Sequence, residues 1–162
     1  MAKPIPEGYH TLTPSFTFKD SKKAIDFYKK AFGAEVLDSL ARLDGKGIMH
    51  ATLKIGNSIF MMGDEMTGSE NCAKSAETVG TCPISLYVYV TDADAAFQQA
   101  TAAGGTVVMP VMDMFWGDRA GTIRDPFGYT WMIATHKKDL THDEIRKGAG
   151  EFFEQMQKMG KK

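Results

Sequence analysis

The chain states one pattern twice, 72 positions apart. Thr13-Pro-Ser-Phe16-Thr-Phe18-Lys-Asp20 aligns with Ser85-Leu-Tyr-Val88-Tyr-Val90-Thr-Asp92. At the same offset Ala24 meets Ala96, Gly33 meets Gly105, Gly56 meets Gly128 and Met61 meets Ile133, with no insertion. Two copies of so long a unit do not make a solenoid, which stacks shorter repeats at least about three times. The pattern predicts two copies of one supersecondary module, and two such curved sheets set a cavity between them.

Each copy reads β-α-β-β-β. Leu12 to Phe18 alternates as a strand, Asp20 is a good helix N-cap, and Ala24, Phe27, Tyr28, Ala31 and Phe32 recur at helical spacing up to Gly33. Strands are predicted over Glu35–Arg42, Ile48–Ile55 and Ser58–Met62, the last two joined by a Gly56-Asn57 hairpin. The second copy runs from a strand over Ile84–Val90, through a helix capped by Asp92 and stopped at Gly104-Gly105. Strands at Thr106–Met112, Arg119–Arg124 and Tyr129–Thr135 follow. The fold class is α+β: tandem βαβββ modules forming curved, mainly antiparallel sheets around a cavity, plus a C-terminal helix. The chain divides into a first module at 9–64, a linker at 65–83, a second module at 84–136 and a helical extension at 137–162, all in one domain of 162 residues. That extension opens on a capping box, Thr141 to Glu144, and carries an apolar stripe of Ile145, Ala149, Phe152, Phe153, Met156 and Met159. It reads either as a helix packed over its own domain or as a dimer arm.

Composition narrows the function. A net charge of −1 gives no footprint for nucleic acid or an anionic membrane. No apolar run approaches the ~20 residues of a membrane span, and the start has no apolar signal region, so a cytoplasmic protein is expected. Cys72 and Cys82, both in the linker, read as free thiols.

Alternation along the strands sorts the side chains. Phe16 and Phe18, with Leu86, Val88 and Val90, should cover the helices, and Ser85, Tyr87 and Tyr89 should face the other way. The same alternation assigns Ile59, Met61, Trp131 and Ile133 to the helix side. It assigns Phe60, Met62, Met132, His50, Thr52, Thr122 and Arg124 to the concave side. A few polar groups on an apolar, aromatic lining is the make-up of a small-molecule pocket.

The stretches Asp20–Gly33, Ala51–Asp64 and Asp125–Trp131 resemble the vicinal-oxygen-chelate superfamily of glyoxalases, extradiol dioxygenases, and fosfomycin- and bleomycin-resistance proteins. His50-Ala51, Met61-Met62-Gly63-Asp64 and Phe115-Trp116-Gly117-Asp118-Arg119 are similar to its PhnB-like subgroup. The resemblance covers about residues 9–136 and implies the paired-module fold; one fold hosts many functions. It also implies four metal-ligand positions, one in the first and last strand of each module. Here they carry Thr13, Phe60, Ser85 and Met132, none of which is the imidazole or carboxylate such an ion needs. No metal and no other cofactor is expected.

The resulting expectation is a homodimeric binding protein for a small, partly aromatic molecule, of the sequestration type the bleomycin-resistance resemblance implies. Tyr87, Tyr89, Phe115 and Trp116 would stack on it, with Arg124 and His50 as polar anchors. Arg119 has a competing structural role, paired with Asp118 or Asp125. The alternative is a glyoxalase-like lyase or isomerase with His50 as base, or with a metal held elsewhere. A third reading is a non-catalytic interaction protein acting through the C-terminal helix. His10, His136 and His142 read as surface residues.

Overall fold

The computed structural model describes residues 3–66 and 72–159, apart from the side chains of Met156 and Met159, so part of the expected linker and two members of the C-terminal stripe lie outside the described residues. The first module is β1 (Ser15–Phe18), α1 (Ser21–Phe32), β2 (Glu35–Ala41), β3 (Ile48–Ile55) and β4 (Ser58–Asp64). After a short α2 (Ala76–Val79), the second is β5 (Ser85–Tyr89), α3 (Ala93–Ala102), β6 (Thr106–Asp113), β7 (Asp118–Arg124) and β8 (Thr130–His136), and α4 (His142–Met159) ends the chain. The expected α+β architecture is present: two four-stranded sheets, ordered β1-β4-β3-β2 and β5-β8-β7-β6, in which only the β1–β4 and β5–β8 pairs are parallel.

Local signals explain the elements. The Asp20 carboxylate accepts from Lys23 N–H at 3.2 Å to start α1, and Asp92 does the same for Ala95 at 3.0 Å to start α3. Gly33, at φ 64°, ends α1 in the left-handed conformation that favours glycine. Thr141 and Glu144 form the reciprocal capping box at the start of α4, with bonds of 2.8 and 3.3 Å. Cys72 and Cys82 are unbridged.

The duplication is less regular than a single offset of 72 implies. Phe16 pairs with Met62 and Val88 with Ile133, while Leu53 pairs with Phe60 and Ile123 with Trp131. The offset is therefore 72 in the first strand of each module, 70 in the third and 71 in the last. The step from 70 to 71 comes from the turn before the last strand. β3 and β4 join through Gly56-Asn57 alone, whereas five residues, Asp125–Tyr129, separate Arg124 from Thr130. An odd offset reverses which face a residue occupies, so the assignment of β4 is corrected. Phe60 and Met62 are buried on the helix side, and Met61 turns to the face shared by Ser15 and Thr52. The assignments of β1, β5 and β8 hold.

The modules meet through their helix sides. Phe32 lies 4.8 Å from Trp131 between ring centroids, and Phe18 lies 5.4 Å from Phe127. One apolar cluster spans both, from Phe16, Tyr28 and Phe60 to Phe97, Trp131 and Ile133. At its centre the buried Asp125 takes four donors. The Phe127 and Tyr129 N–H groups, both at 2.9 Å, hold one oxygen, and Tyr28 O–H at 2.7 Å with Trp131 Nε1 at 3.0 Å hold the other. Burial still pushes its carboxyl above the usual range. The faces opposite the helices consequently turn outward, leaving Tyr89 63% exposed. α4 packs on its own chain, with Phe152 5.6 Å from Phe115.

Candidate functional site

A cavity of about 1070 Å³ lies between the modules, along the free edge of β5. Its walls come from Pro14, Phe16 and the β3–β4 hairpin on one side, and from Leu86–Thr91, Trp131 and His136 on the other. Of the residues expected to bind ligand, Tyr87, Tyr89 and Phe60 line it. Phe60 does so from the buried core.

Strand alternation places Tyr87, Tyr89, Met132, Asp118 and His136 on one face of the second sheet. Their centre is Asp118, whose residue is 3% exposed. Tyr87 O–H donates to its Oδ2 at 2.7 Å, Tyr89 O–H at 3.1 Å and Trp116 Nε1 at 3.0 Å, and His136 Nδ1 lies 2.8 Å from Oδ1. The Tyr87 and Tyr89 rings sit 4.9 Å apart. Burial works against the Asp118 charge, but the bonds from Tyr87, His136, Trp116 and Tyr89 outweigh it and hold the carboxyl below its ordinary range. Burial, and then the Asp118 carboxylate, push both tyrosines up. His136, bonded to Asp118 and through Nε2 to the exposed Asp139 at 3.1 Å, titrates above an ordinary histidine for those two bonds in that order. His136 is exposed, as expected of a surface residue, but that reading missed its place in this cluster. The signal was available: alternation from Thr122 to Asp118, and from Met132 to His136, puts both on the tyrosine face.

The other expected site residues are dispersed. Trp116 joins the Asp118 cluster and Met132 packs beside it, but Phe115 turns away to α4. Arg124 is exposed at the end of β7 and does not line the cavity. Arg119 is structural, with partners other than those expected: it forks onto Asp94 of α3, with Nη2 at 2.7 Å, and bonds Asp113 at 3.1 Å. His50 lies on the other sheet, its Nε2 3.1 Å from Thr52 Oγ1, which in turn is 3.4 Å from Tyr9 Oη. Among the described residues no carboxylate orients it there.

The positions that carry a metal in the superfamily do not fit one here. Thr13 donates its hydroxyl to His10 carbonyl oxygen at 2.9 Å, Phe60 is buried, Ser85 is exposed and Met132 packs against the buried Met114, Ala120 and Ala134. The β4 residue matching Met132 is Met61, which adds a second thioether. A second copy of the chain brings the same residue types. Among the described residues no group of three or more His, Cys, Asp or Glu is placed to hold an ion. Nor is any helix among them long and apolar enough to cross a membrane.

A model of the Glyoxalase/Bleomycin resistance protein/Dioxygenase superfamily matches residues 10–133. An uncharacterized protein of Mycobacterium tuberculosis is 38% identical over 138 residues, covering 83% of this chain and 79% of that one. Among solved structures, TioX from Micromonospora sp. ML1 is 28% identical at a TM-score of 0.59, covering 78% of this chain and 98% of that one. The PhnB protein from Bacillus cereus, 23% identical at a TM-score of 0.59 over 78% and 99% of the two chains, shares the fold. With the match running from the first module into β8, the last strand of the second, this chain belongs to the glyoxalase/bleomycin-resistance/dioxygenase superfamily.

Proposed function

We propose that the protein binds a small, partly aromatic molecule against the Tyr87–Tyr89 wall of its cavity, in the manner of a sequestering protein and without a metal. One observation carries the reading. Two exposed phenol rings are fixed by bonds to a single buried carboxylate, so the aromatic wall is pre-ordered before any ligand arrives. The cavity volume, about 1070 Å³, suits such a molecule. A homodimer fits the same picture, because β1 and β5 each keep one unpaired edge and the tyrosine face is open in the single chain.

The test is a thermal-shift screen with planar amphipathic compounds, since a ligand of the folded state raises the melting temperature. Hits are expected to lose about tenfold or more in affinity in Tyr89→Ala. A panel with no hits, or hits indifferent to Tyr89→Ala, rejects the reading. An enzymatic reading, as a lyase or isomerase, draws support from His136 rather than His50. Asp118 orients the His136 ring and leaves Nε2 on a replaceable, exposed partner. Any turnover found should fall in His136→Gln and persist in His50→Ala.

A further inference from the structure

The charge around this wall narrows its ligand further, on the premise of the small-molecule reading above. We infer that the molecule seated on Tyr87 and Tyr89 carries a positive charge, as a quaternary ammonium or alkylated amine packed on the ring faces. The hydrogens of both phenols and of the Trp116 indole already point at Asp118 Oδ2, at 2.7, 3.1 and 3.0 Å. The tyrosines are thus left with lone pairs and ring faces to offer, and both are electron-rich. Donation to a carboxylate pushes further electron density into each ring, which deepens the attraction of its face for a cation. Behind the rings sits an ionised, buried carboxylate that water does not screen.

The surroundings agree in sign. Among the described residues that line the cavity there is no lysine or arginine. Arg119 is committed to Asp94 and Asp113. His136, when protonated, lies between Asp118 and Asp139, so the three groups together remain negative. A cation meets two exposed phenol rings and a negative field; a carboxylate or phosphate meets no guanidinium fork to hold it.

The experiment compares phenyltrimethylammonium with its uncharged carbon isostere, tert-butylbenzene, by calorimetric titration of the full chain. The cation should bind roughly tenfold more tightly. Tyr89→Leu should erase that preference, and Tyr89→Phe, which keeps the ring, should retain part of it. Tyr89 is 63% exposed, so both variants are expected to fold, and circular dichroism checks this. Equal or tighter binding of tert-butylbenzene overturns the charge assignment while leaving the small-molecule reading standing. Absence of binding by either compound overturns both. A preference for the cation that survives Tyr89→Leu overturns the assignment to this wall.

Discussion

Ser21 and His136 give the sharpest tests at the level of single side chains. The Ser21 hydroxyl is the one buried side-chain polar atom among the described residues without a hydrogen-bond partner. A buried group that makes no bond costs its desolvation and returns nothing. Ser21→Ala should therefore stabilise the protein by roughly 1 kcal/mol, read as a rise in denaturation midpoint at unchanged slope. His136 makes a pH-dependent prediction. Asp118, and then Asp139, raise its folded pKa above the unfolded one. Its contribution is fully present below the unfolded value and is lost as pH rises through the folded value. The gap in melting temperature between wild type and His136→Gln should be widest in mild acid and shrink above neutrality. An NMR titration should find the ring protonated at a pH where a free histidine is largely neutral. A ring titrating at the free value would deny that Asp118 holds it.

The element that positions the site is the turn between β6 and β7, and Gly117 is its weak point. Gly117 has φ 102°, and a methyl group there would be driven into the carbonyl oxygen of Lys138. That oxygen belongs to backbone, which cannot swing aside as a side chain does. Gly117→Ala should cost about 1–3 kcal/mol and loosen Trp116 and Asp118, visible as lower melting and altered indole fluorescence. Much at this scale was legible in the sequence. Asp20, Gly33, Asp92 and the Thr141–Glu144 box act locally, so their chemistry alone placed the helix boundaries. Phe60 was misassigned because strand parity accumulates along the chain, and the extra length of the Asp125–Tyr129 turn is invisible to a constant offset. The strand face of Tyr87 and Tyr89 came out correctly because alternation within one short strand needs no such bookkeeping. The partners of Arg119 did not, because Asp94 lies on α3, 25 residues away, and only packing brings it near.

For the whole molecule, what matters is that the modules share one core. Tyr28 of the first module bonds Asp125 of the second at 2.7 Å, across 97 residues of sequence. Tyr28→Phe removes one of four donors from a buried carboxylate and should cost about 1–3 kcal/mol, with the whole chain still unfolding in one transition. Two separate transitions in calorimetry would show that the halves are independent. The open β1 and β5 edges carry the dimer prediction: sedimentation should give twice the chain mass of 17.8 kDa. The bond between Tyr28 and Asp125 also bears on the ancestry of the chain. The counterpart of Tyr28 in the second half is Ala100, itself fully buried. A protein rebuilt from two second halves would bury two carboxylates opposite methyl groups, with no phenol to meet either. The twin halves have become lock and key, and the duplication that made them can no longer be run backwards.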